Sequence, residues 1–198
     1  MPAPIATSTI AAQAFRFLEL SPISSYGDGS EQASAAAEQY PIALASCLSA
    51  ADWSDASTLA RLPAAILGAQ DAIDPRLPFL YRLPADCLVV REVGDACVKW
   101  RVDKIGLRAD APAPLLIRYT ARVENEAILP ARLQTAIAAE LALLLAPRFL
   151  TTQAKVASLR SVAPAYLKDA MRRDARSASD ARYDGMEDQG DWVSEAIR

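Results

Sequence analysis

The 198-residue chain contains no histidine, so its acid–base, nucleophilic or metal chemistry must come from carboxylates and thiols. That removes the commonest general base, the usual nucleophile triads and most zinc sites. Two sets of carboxylates are closely spaced: Asp71 with Asp74, and Asp180, Asp184, Glu187, Asp188 and Asp191. Carboxylates alone can move a proton or hold a divalent ion, but only where a rigid support makes them converge. Both sets fall in stretches that read as loop or tail, so neither is expected to catalyse. The tail set is expected to do no more than pick up Ca²⁺ or Mg²⁺ adventitiously. Cys47, Cys87 and Cys97 form no CxxC pair. A thiolate nucleophile needs an activating partner, and histidine cannot supply it here. The three thiols read as small apolar core residues in a reducing compartment. No GxGxxG or Walker loop occurs, and Gly27-Asp28-Gly29 reads as a turn. No catalytic residue, metal site or cofactor is expected, and the chain is read as a non-enzyme.

The charge that remains is unevenly placed. The net value is −3 with a pI of about 5.1, which argues against a global electrostatic grip on nucleic acid. From Lys155 to Arg176, however, six bases and two acids leave +4, and from Ser179 to Arg198 six acids and two bases leave −4. Lys168, Arg172, Arg173 and Arg176 make a basic run with no interleaved aromatics, so it reads as an inter-subunit or DNA-facing helix surface rather than a base-reading one. The acidic segment carries Tyr183, Trp192, Val193 and Ile197, apolar anchors for which a merely solvated tail has little use.

The elements that must position these groups are mainly helical. Alanine, the best helix former, occurs 41 times and glycine 7 times. Apolar spacing predicts helices over 8–19 (Ile10, Ala14, Phe17, Leu18, with Ser8 as N-cap), 30–49 (Ala33, Ala37, Tyr40, Leu44, Cys47 or Leu48), 127–147 and 152–177. Asp28 and Glu31 suggest a capping box, and Pro41 and Pro164 predict kinks. Leu129, Leu133, Ile137, Leu141, Leu144 and Leu145 give the third helix a broad apolar stripe, with Pro130 in its first turn and Pro147 as its stop. Val156, Leu159, Ala163, Tyr166, Leu167 and Ala170 mark the buried face of the fourth. Residues 52–78 read as an extended connection. Between 79 and 123, LPFLYRLPADCLVVREV, VKWRV and LLIRYTARV predict three or four antiparallel strands. The fold expected is α+β: one domain over 1–178, a helical bundle with an inserted antiparallel β-segment, followed by an extended arm over 179–198. No secretory pattern or spanning apolar run is present, so no membrane partner is expected.

The order of these pieces is itself informative. A first helix leads into SPISS, and a second ends near Asp52-Trp53. LPADCLVVREV, VKWRV, a short strand around Ile105–Leu107 and LLIRYTARV follow, then two helices and the acidic YDGMEDQGDWVSEAIR. Over roughly residues 8–198 this resembles the tail tubular protein A type of head-to-tail adaptor of podophages, siphophages and gene transfer agents. Its most specific pieces are Leu83-Pro84-Ala85-Asp86, Ile117-Arg118-Tyr119, and Asp191-Trp192 with Arg198. The sequence departs from that pattern just after Trp53, which lacks aromatic and basic residues, and at Pro41.

The resemblance implies a structural protein of the virion neck, assembled in a host bacterial cytoplasm. A homo-oligomeric ring of twelve copies would sit between the portal protein and the next tail or neck protein, with double-stranded DNA passing non-specifically through its channel. It also implies that the C-terminal arm reaches toward the portal, a role carried onto Tyr183, Trp192, Val193, Ile197 and Arg198. The competing readings are another neck or tail-completion protein, and a small nucleic-acid-binding or regulatory module.

Overall fold

The computed structural model describes residues 9–65, 74–150 and 152–177. Its fold is α+β with four helices: α1 (Thr9–Phe17), α2 (Glu31–Ser49), α3 (Ala131–Phe149) and α4 (Gln153–Ser177). The β-segment is inserted between α2 and α3 and has, among its described residues, six short strands: β1 (Ser57–Leu62), β2 (Phe79–Tyr81), β3 (Cys87–Val93), β4 (Trp100–Val102), β5 (Leu107–Ala109) and β6 (Leu115–Ala121).

α3 is the hub, packing against α1, α2 and α4. Leu133, Ile137, Leu141 and Leu145 are buried along it, and Ala136, Ala138, Ala139, Ala142 and Ala146 let neighbours approach on several sides. Each fully buried Leu or Ile stabilises the fold by about 1.5–3 kcal/mol relative to exposure. The stripe expected from the sequence is present, but the helix begins after Pro130, which sits at the N-cap rather than inside the first turn. Pro147 does not stop it. The proline lacks an amide donor and crowds the preceding turn, yet Leu150 still closes the last turn by donating to Ala146 O at 2.8 Å.

α2 corrects two further expectations. Its N-cap is Ser30, whose hydroxyl accepts from the Ala33 amide at 3.0 Å. Asp28 instead accepts from the amide and hydroxyl of Ser30 at 2.9 and 2.6 Å, which holds its pKa down at about 2. The buried face runs through Ala33, Ala35, Ala36, Ala43, Leu44, Cys47 and Leu48, leaving Ala37 exposed. Ile10 and Ala14 of α1, and Leu18 just after it, are buried as expected, together with Phe15, which the spacing missed. Ser8, the expected N-cap, lies outside the described residues.

The strands form two antiparallel three-stranded sheets, ordered β1-β6-β3 and β2-β5-β4. One apolar cluster serves both: Leu62, Val93, Leu115, Ile117 and Tyr119 from the first, and Tyr81, Leu107 and Ala109 from the second. β1 lies in the stretch read from sequence as connection. It is an edge strand with an irregular burial pattern, so its amphipathic period is weak; pairing with β6 from Ser57↔Thr120 to Leu62↔Leu115 makes it a strand. The bridge between Ala64 and Tyr81 then carries the chain onto the edge of the second sheet.

Candidate interaction surfaces

A polar joint ties the β-segment to the helices. The turn after α2 sets Asp52 against β6 and buries Trp53 in the helical core. Trp53 is 2% exposed and donates its indole N–H to Cys47 O at 2.9 Å. Arg91 of β3 donates to the α2 exit carbonyls Ser49 O and Ala51 O at 3.1 and 2.5 Å, and to Thr120 Oγ1 at 2.8 Å. Arg118 of β6 holds Glu92 with two hydrogen bonds, of 3.0 and 2.7 Å, and pairs with Asp52. The Arg118 hydrogen bonds hold the Glu92 carboxyl below its ordinary pKa, and Glu92 in turn raises that of Arg118. These groups lock one another in place and serve positioning rather than chemistry.

Several other titratable groups are likewise held by partners or by burial. Asp74 accepts from the Arg76 amide at 3.0 Å and pairs with Arg101 at 3.1 Å, while Asp71 lies outside the described residues. Buried Arg108 pairs with Asp103 at 2.7 Å. Burial pushes the Cys47 thiol up to about 12 and raises that of Cys87. Cys97 is exposed, which corrects its expected core placement: it lies in the turn between β3 and β4, outside both sheets. Among the described residues, no cluster of three or more Cys, Asp or Glu is arranged to hold a metal ion. Among them, too, no helix is long and apolar enough to cross a membrane.

The surfaces left over are suited to contact. Among its described side chains α4 buries Leu159, Ala163 and Ala170, with Val156 and Leu167 half-covered; Tyr166, expected in the buried face, is 37% exposed and lies tilted against Phe17, ring centres 5.7 Å apart. Lys168, Arg172 and Arg176 recur every four residues, so they drift by only about 40° per step around the helix. Lys168 and Arg172 are exposed, on the side turned away from the buried stripe. Arg173 departs from that stripe. It lines a cavity of about 220 Å³ with Trp53, Asp55, Pro130, Ala131, Arg132, Leu133, Ala170 and Asp174. Arg132 pairs with Asp169 across the adjoining hollow, whose lining includes Tyr166 and Thr135. Arg176 falls in the last turn of α4, and Tyr183, Trp192, Val193, Ile197 and Arg198 lie outside the described residues.

The β-segment adds surfaces that the sequence reading did not single out. Leu59 of β1 and Leu116 of β6 are 65% and 44% exposed. Leu59 stands opposite Arg118, two positions from Leu116, so both leucines share one face of the sheet as diagonal neighbours. β4 is a sheet edge whose Trp100 and Val102 are also exposed. The available signals were leucines breaking the polar side of an alternation, and a short aromatic strand between turns. Set against protein-family models and curated proteins, the chain matches none of them, so its function must be read from its own residues.

Proposed function

We propose that the chain is a structural virion protein, a head-to-tail adaptor whose copies form a ring beneath the portal, join capsid to tail and leave a channel for DNA. The observation that carries this reading is the way α4 is mounted. It is a 25-residue helix held along one narrow buried face, and its basic stripe points away from the core. A closed ring repeats one heterologous contact and needs two unlike surfaces on every copy. The basic face of α4 is one such surface, and the acidic segment 179–198, of equal and opposite charge, is its complement. The succession of two helices, β-segment and two helices is also the order on which the resemblance rests.

In this reading the arm bearing Tyr183, Trp192, Val193, Ile197 and Arg198 engages the portal. The test is electron microscopy and mass measurement on the purified protein, alone and mixed with portal rings. The intact chain should join the portal; a variant lacking residues 183–198 should keep its circular dichroism spectrum and lose attachment. A chain that leaves portal rings bare but binds another virion component would be a different neck protein. Steeply salt-dependent DNA binding without assembly would instead mark a nucleic-acid module.

A further inference from the structure

We propose that, in the isolated chain, Trp192 and its acidic neighbours dock into the chain's own cavity between the start of α3, the Trp53 turn and the end of α4. The apolar part of that cavity is framed by Trp53, Pro130, Leu133 and Ala170, and its 220 Å³ has room for an indole ring. Arg173 stands at its rim with no ion-pair partner among the described residues. The acids nearby are already engaged: Asp169 pairs with Arg132, and Asp174 accepts from the Ser54 amide at 3.4 Å. Asp55 is the remaining acid in the lining.

The occupant is specified by charge and by connection. The segment from Ser179 to Arg198 carries −4, Arg173 at the rim, unpaired among the described residues, is the cation it would meet, and Asp191 directly precedes Trp192. A guanidinium beside an indole adds cation–π attraction. Arg173 lies one helical turn before the end of α4 at Ser177, and Trp192 follows that end by 15 residues. So short a tether sets an effective concentration in the mM range, which favours the chain's own cavity over a neighbour's in dilute solution. This docking stands without the adaptor reading. Its consequence is that the aromatic anchor is withheld from other proteins until one offers it a better seat.

The experiment is fluorine NMR on the full chain with its three tryptophans replaced by fluorotryptophan. Trp192→Phe assigns the Trp192 signal and should displace that of Trp53, while Trp100, exposed on β4, stays in place and reports an intact fold. Arg173→Glu should move the Trp192 signal toward its position in denaturant. Both displacements should persist on tenfold dilution. An unmoved Trp53 signal, or a native Trp192 signal already at its denatured position, overturns the proposal. So does a displacement that fades on dilution, because the segment then sits on a second copy.

Discussion

Arg118 and Glu92 are joined by two hydrogen bonds, 3.0 Å from Nε and 2.7 Å from a terminal nitrogen, and the same guanidinium also pairs with Asp52 at the exit of α2. One side chain thereby fixes β3, β6 and the helix exit together. Asp52 Oδ1 is buried with no further hydrogen-bond partner among the described residues. Removing the cation should therefore leave a carboxylate poorly solvated and unmatched. Arg118→Met is expected to cost about 1–3 kcal/mol in urea denaturation, kept below the value for a deeply buried pair because all three side chains retain solvent contact.

The same pair sets an acid limit. The folded-state pKa of Glu92 is depressed by Arg118. Its contribution is then complete above the unfolded carboxylate value, about 4.3, and is lost as pH falls through the folded value. Asp103, depressed chiefly by its hydrogen bond from Arg108, acts with the same sign. The stability gap between wild type and Arg118→Met should shrink as pH is lowered from neutral to about 3, measured by denaturation at each pH. A gap unchanged at low pH would remove Glu92 from this role.

Gly106 opens β5 against the β2 backbone. A Cβ there would stand 2.3 Å from Tyr81 O, and no flexible side chain can yield to relieve it. Gly106→Ala should cost about 2–4 kcal/mol and lower the melting temperature, whereas Gly29→Ala, with open space around its Cβ but a φ of +75°, should cost about 1 kcal/mol.

Thiol reactivity should follow burial. Alkylation at mildly alkaline pH should label Cys97 first and Cys87 slowly, and Cys47, whose pKa stands at about 12, only after unfolding. Mass spectrometry of timed samples reads this order directly; early labelling of Cys47 would contradict its burial.

Pro41 stands inside α2 with its ring exposed, so it forfeits one helical hydrogen bond without packing in return. Pro41→Ala should raise stability by about 1–2 kcal/mol, the regained bond outweighing the looser unfolded chain.

The helices were legible because their burial is periodic. Leu133, Ile137, Leu141 and Leu145 announce α3, and all four are buried. What escaped was set by partners rather than by local pattern. β1 owes its conformation to β6. β5 lies two residues beyond the strand expected around Ile105–Leu107, because Arg108, 4% exposed in the middle of a buried strand, defeats the apolar alternation; its charge is tolerated because Asp103 folds back onto it. Of the candidate basic residues, Lys168 and Arg172 share the outward face of α4, which helical spacing predicts. Arg173 turns toward Trp53 instead, and that cavity exists only once residues far apart in sequence are brought together. The joint of Asp52, Arg91, Glu92 and Arg118 was hidden for the same reason.

Because β1 and β6 run side by side along their whole length, the chain enters and leaves the β-segment at adjoining points. The segment thus behaves as a cassette. Residues added at the Asp103–Gly106 turn, or a wholesale exchange of 57–121 for another small sheet, need only meet two neighbouring ends and keep Arg91 and Arg118. Evolution can then rewrite whatever this face touches while the helical frame stays the same.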